Sequence, residues 1–199
     1  MNSEIEANPA NLQNTLSHNT DRQYFEVISA CRNIFLKKIG DYGTSWRVMR
    51  PSSLTDQIFI KAQRIKNIES YGIQKVDEGI EPEFMGIINY GLMGLIQLEQ
   101  KEDLPFDLTP EEAEELYNAK VQITFKVMSD KNHDYGEAWR DMRVSSFTDL
   151  ILMKLMRIKQ IEDNEGTTEI SEGIDSHYTD IVNYAIFAMI KLNENAETD

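Results

Sequence analysis

Cysteine is almost missing from this chain: Cys31 stands alone among 199 residues. No internal disulfide can form, a reducing compartment suits the sequence, and Cys31 itself reads as a small buried hydrophobe. Histidine occurs only as His18, His133 and His177, which have no metal-ligand spacing among themselves. There is also no nucleophile elbow, no phosphate-cradling glycine loop and no CxxC pair, so zinc chemistry and covalent catalysis have no support. Basic residues are in deficit, 20 Lys and Arg against 34 Asp and Glu, for a net charge of -14. That argues against a nucleic acid duplex, whose phosphates need a basic surface. A free nucleotide is a different matter, because a few local cations or a metal can hold phosphate on an acidic protein. Long apolar runs are lacking too. Ile87 to Leu98 and Ile181 to Leu192 contain Asn, Gln or Lys and fall short of the roughly 20 residues of a membrane span. Glu4 and Glu6 occupy positions where a signal peptide carries Lys or Arg. The expectation is a soluble, cytoplasmic protein with no membrane partner.

What the chain does have is a repeat. Asp41-Tyr42-Gly43-x-x-Trp46-Arg47-x-Met49-Arg50-x-Ser52-Ser53-x-Thr55-Asp56 returns, 93 residues on, as Asp134-Tyr135-Gly136-x-x-Trp139-Arg140-x-Met142-Arg143-x-Ser145-Ser146-x-Thr148-Asp149. Ile58, Lys61, Arg64, Ile65 and Lys66 recur as Ile151, Lys154, Arg157, Ile158 and Lys159, and Glu69 as Glu162. Glu78-Gly79-Ile80 and Asn89-Tyr90 recur as Glu172-Gly173-Ile174 and Asn183-Tyr184 at an offset of 94, one residue having been gained in between. A repeat of this length is a structural module, and the positions where its copies differ are where function can divide.

The hydrophobic period is helical. Tyr24, Val27, Ile28, Cys31, Ile34, Phe35 and Ile39 recur at three- and four-residue steps. Helices are expected over residues 22–39, 53–69 and 82–100 in copy one and over 110–130, 146–163 and 176–194 in copy two. Thr109-Pro110-Glu111-Glu112 has the form of a capping box with Pro at the first helical position, Ser53-x-x-Asp56 and Ser146-x-x-Asp149 are weaker versions, and Pro82 opens a third helix. For Asp56 and Asp149 this capping role is favoured over metal ligation. No strand alternation is visible, so the fold class is all-α: an antiparallel bundle of about six helices built from two three-helix repeats. Residues 1–20 read as a disordered tail, 21–101 as repeat one, 102–109 as a linker and 110–194 as repeat two. The linker is too short to separate independent domains, so both repeats should share one core.

Two constellations carry chemistry. The Asp-Tyr-Gly-x-x-Trp-Arg corner gathers aromatic rings and guanidinium groups that suit a base and its phosphates. The competing reading makes the glycines left-handed turns and the Trp and Met residues packing at the bundle end. The second constellation sets Asp180 across from Lys154 and Arg157, with Glu162 and Glu172 near the intervening loop. Carboxylates on facing helices of a bundle hold divalent cations, and oxygen ligands favour magnesium or manganese. An internal ion pair of Asp180 with Arg157 or Lys154 weighs equally. In copy one Gly86 replaces Asp180, which suggests that Arg64 has lost a partner and meets an anion. The rival explanation is that Gly86, Gly91 and Gly94 allow close helix approach.

Lys131-Asn132-x-Asp134-Tyr135-Gly136-x-x-Trp139, Lys154-x-x-Arg157 and Glu172-x7-Asp180-Ile181-x-Asn183-Tyr184 together resemble the nucleotide-modification-associated helical domain family, a family of unknown function. Its members are compared with the all-α nucleoside triphosphate pyrophosphohydrolases of the MazG type. In those enzymes acidic residues on adjacent helices bind magnesium, and water attacks a nucleotide to release pyrophosphate. The resemblance implies a magnesium-dependent nucleotide pyrophosphohydrolase-like protein acting on free, including modified, nucleoside triphosphates. Glu162, Glu172 and Asp180 would hold Mg2+ (or Mn2+); Lys61, Arg64, Lys154, Arg157 and Asn183 would meet phosphates; Tyr135 or Trp139 would stack on the base. The MazG-type pair of Glu residues on the middle helix is absent here. The alternative is a non-catalytic nucleotide-binding or protein-interaction module, and a homodimer is left open in either case.

Overall fold

The Asp-Tyr-Gly corner ends a helix in each copy, because Gly43 and Gly136 take φ of 61° and 60°, a conformation in which a Cβ is strained. A 3-10 turn follows each corner, Ser45–Val48 and Ala138–Asp141. The computed structural model, which describes residues 9–72, 79–99, 107–164 and 173–196, has six helices among those residues, and the corners join the first to the second and the fourth to the fifth. The helices are α1 (Pro9–Tyr42), α2 (Pro51–Tyr71), α3 (Glu81–Leu98), α4 (Pro110–Tyr135), α5 (Val144–Asp163) and α6 (Ile174–Ala196). There is no strand among the described residues, and the fold is all-α.

Helix starts differ from expectation, α1 most of all. α1 begins at Pro9, so residues 9–20, read as tail, are helical; residues 1–8 lie outside the described set. α2 and α5 begin at Pro51 and Val144 after Arg50 and Arg143, with no side-chain cap, so Ser53 and Ser146 fall inside the first turn. Pro51 supplies the start of α2 instead, since its missing N–H costs nothing there. Asp56 and Asp149 do not cap; they pair across the α2–α5 contact with Lys159 (2.5 Å) and Lys66 (3.0 Å). The Thr109 capping box is present in full.

The helices form three layers. α3 and α6 pack on each other in the middle, α2 and α5 cover one side, and α1 and α4 cover the other. This explains why α3 and α6 are apolar around most of their circumference: both sides are buried. Gly91 and Gly94 set their approach, for an added Cβ would meet Val182 at 2.6 Å and the Tyr178 ring at 2.4 Å. Gly86 does not serve this contact; its neighbour is Lys61. One hydrophobic core runs through both repeats, from Tyr24 and Ile58 to Ile158 and Ile186.

A pseudo-twofold relates the copies down to single hydrogen bonds. Asn89 Nδ2 donates to the Cys31 carbonyl (3.1 Å) and its Oδ1 accepts from Tyr117 (2.8 Å). In the other copy Asn183 Nδ2 donates to the Thr124 carbonyl (3.1 Å) and its Oδ1 accepts from Tyr24 (3.2 Å). Thr55 donates to Glu162 and Thr148 to Glu69, both at 3.1 Å. Cys31 is fully buried, and that burial pushes its thiol up to about 12.

Candidate functional site

The symmetry breaks where the middle and last helices of each repeat meet the end of the first. In repeat two, Asp180 of α6 accepts from Lys131 of α4 at 2.6 Å and from Lys154 of α5 at 2.7 Å, one lysine to each carboxylate oxygen. Burial opposes a charge on Asp180, yet the bonds from Lys131 and Lys154 outweigh it and hold the carboxyl below the usual carboxylate range. Lys154 and Asp180 are both buried. Beside them Trp139 lies flat on Phe187, centroids 4.3 Å apart and 7° between planes, with the Arg140 guanidinium over the Trp139 ring. This end of the module supplies its own counterion and its own stacking partner.

In repeat one the equivalents of Lys131 and Lys154 are Lys38 and Lys61, but Gly86 stands for Asp180 and Met93 for Phe187. The acid has moved one helical turn: Glu83, whose counterpart is His177, pairs with Lys61 at 3.1 Å and also with Arg64. Trp46, the counterpart of Trp139, has no stacked partner from α3; it tilts against Phe35 at 6.3 Å. These exchanges leave a cavity of about 560 Å³ between α1, the Ser45–Val48 turn, α2 and α3. Phe35, Trp46, Met85, Tyr90 and Met93 line its apolar walls, Tyr42 stands at its mouth, and among the described residues Lys38 and Lys61 are the charged ones in its lining. The Lys61 stem lies over Gly86, where an added Cβ would come within 2.6 Å of it, and its side chain is 25% exposed against 7% for Lys154. A chain of net charge -14 therefore carries an aromatic-walled cavity whose ionic groups, among the described residues, are both cations. Such a cavity is of a size for a small organic ligand and selects an anionic one.

Most residues expected to form a site have other employment. Asp180 is committed to two lysines, not to Arg157, which lies exposed. Arg64, expected to have lost its partner, is paired with Glu83. Asn183 is buried in the lock between α6, α4 and α1, and Glu162 faces Thr55 across α2 and α5, its carboxyl pushed up by burial. Glu172 lies outside the described residues. Among the described residues no group of three His, Cys, Asp or Glu gathers to hold a metal ion. Of the expected magnesium ligands that are described, Asp180 is paired with two ammonium groups and Glu162 accepts from the Thr55 hydroxyl. Trp139 is covered by Phe187, so it offers no free face, and Tyr135 stands 74% exposed at the end of α4. Lys61 alone of the expected residues lines the cavity. Lys38 was missed, although its identity with Lys131 at the repeat offset was the signal for it.

No helix among the described residues is long and apolar enough to cross a membrane. The sequence model of nucleotide modification associated domain 1 matches the chain twice, at residues 38–98 and 131–192, so that both copies of the corner and of its following helices are included. No curated protein and no solved structure matches the chain.

Proposed function

Because the chain belongs to the nucleotide modification associated domain 1 family, we propose that it is a non-catalytic nucleotide-binding module whose site is the repeat-one cavity. The observation that carries this reading is the pair Lys38 and Lys61, the charged residues among those described in the lining of a cavity walled by aromatic rings and methionines. Ammonium groups meet phosphate, and the Trp46 or Tyr90 ring in the cavity wall meets a base. Pyrophosphate release of the MazG type calls for a carboxylate cluster to hold metal, and Glu162 and Asp180 are engaged elsewhere. Binding without hydrolysis is therefore the reading the geometry supports best.

The test is thermal unfolding across a panel of nucleotides, with and without magnesium, with pyrophosphate assayed in the same wells. A ligand at about 100 times its Kd stabilises the folded state by about 2.7 kcal/mol, a rise of about 5–11 °C for a chain of this size. The expected result is a shift that needs no magnesium and brings no pyrophosphate. A shift that requires magnesium and is accompanied by pyrophosphate release would replace this reading with the hydrolase.

A further inference from the structure

Repeat two shows what repeat one lacks at its anion position. The Asp180 carboxylate bridges Lys131 and Lys154, one oxygen to each. Lys38 and Lys61 hold the equivalent sequence positions and line one cavity with Gly86, which supplies no acid. From this we infer that repeat two is a self-liganded copy of the site, and that the ligand of repeat one is a nucleotide with a single phosphate seated over Gly86 between Lys38 and Lys61. The inference rests on the cavity being a nucleotide site and adds the class of nucleotide.

Charge decides the number of phosphates. Among the described residues two ammonium groups line the cavity, and one of them, Lys61, is already shared with Glu83. Arg64, the next cation along α2, is engaged by the same Glu83. One phosphate balances what remains. A triphosphate would direct its outer phosphates away from both lysines and into the field of a protein of net charge -14, where they gain nothing. Specificity follows from the same geometry. A nucleoside without phosphate leaves the lysines with water, and a longer phosphate chain adds repulsion without adding a partner. Seating the phosphate requires only that the Lys61 stem swing off Gly86, and a lysine stem is flexible enough to do so.

The test is calorimetric titration of the full chain with adenosine, AMP, ADP and ATP, and with the guanosine, cytidine and uridine series, at one ionic strength. The titration is repeated with Gly86→Asp, which recreates the repeat-two acid, and with Lys38→Gln, which changes one exposed side chain and leaves the fold intact by thermal unfolding. The monophosphate of at least one base is expected to bind one per chain, at least about ten-fold tighter than its nucleoside and tighter than its triphosphate, with at least about a ten-fold loss in each variant. A triphosphate that binds more tightly than the monophosphate and is weakened by Lys38→Gln would overturn the single-phosphate inference while leaving the nucleotide site standing. Affinity unchanged in Lys38→Gln would overturn the anion position itself. No binding by any member of the series would overturn the nucleotide reading and this inference with it.

Discussion

Asp180→Ala removes the carboxylate that two lysines share, and its cost can be worked from their surroundings. Lys131 is 54% exposed at its side chain, so its half of the cluster is a surface ion pair worth at most about 1 kcal/mol. Lys154 is 7% exposed at its side chain and faces Asp180 at 2.7 Å. Removing the acid from a buried pair of this kind costs about 3–5 kcal/mol, because a desolvated charge loses its compensation. The lower figure applies here, since a lysine stem can carry its ammonium some way toward water. About 3 kcal/mol corresponds to a fall in Tm of about 6–12 °C for a chain of this size. Urea denaturation at pH 7 measures the free energy, with the slope checked for constancy so that a changed midpoint means changed stability. The paired variant Lys154→Met, Asp180→Leu replaces both charges by apolar groups of similar volume and should recover most of the loss. A cost below about 1 kcal/mol for Asp180→Ala, or a double variant no more stable than the single one, would refute the view that Asp180 is held as an internal counterion.

The symmetric asparagines should differ in a definite direction. Asn183→Ala costs about 2 kcal/mol, and Asn89→Ala about 1 kcal/mol more, because Tyr24 keeps Thr124 as a partner at 2.9 Å while Tyr117 loses the acceptor it has in Asn89; equal losses in urea denaturation would contradict this. Acid dependence separates two kinds of carboxyl. Asp180, held low, contributes stability that is present above its unfolded value of about 3.9 and is lost as pH falls through its folded value. Glu162, held high chiefly by burial, opposes folding while ionised, and stability rises as pH falls through its folded value. Glu162→Gln should therefore raise Tm at pH 7, with the gain shrinking toward pH 4; a gain that does not depend on pH would sink the assignment. Gly94→Ala should destabilise by about 1–2 kcal/mol after its helix-propensity gain, since its Cβ meets the buried Tyr178 ring. Gly86→Ala meets a flexible lysine stem and should leave Tm unchanged or higher.

The helices and their pairing by repeat were legible because amphipathic period, the Thr109 box and the left-handed glycines are local signals. The layer order was not. That α1 packs on α4 and α6 depends on which apolar face meets which, and nothing in Tyr24 or Tyr117 says that each hydroxyl will reach an asparagine of the other repeat. The start of α1 was missed because residues 9–20 lack aliphatic period, and period was the evidence used for helix. At the site, the comparison of copies assigned the anion to copy one through Arg64, whereas Arg64 is paired with Glu83. Gly86 was read as a lost acid, while Glu83, three residues earlier on the same face of the helix, had taken over its basic partners. The exchange of Glu83 and Gly86 for His177 and Asp180 was visible as a compensating pair. What could not be read was that Phe187 would stack on Trp139 while Met93 would give Trp46 no stacked ring from α3, because that depends on ring geometry at the packed end.

The chain has two tryptophans, one in each version of the site, and they report separately. In a two-dimensional amide spectrum of the 15N-labelled protein, the indole signals of Trp46 and Trp139 are assigned by Trp139→Phe and followed as AMP, GMP, CMP and UMP are added in turn. The account requires the Trp46 signal to move saturably with at least one of them while Trp139, stacked on Phe187, stays in place. Movement of Trp139 with Trp46 unchanged would put the ligand at the repeat that carries its own acid and would contradict the account.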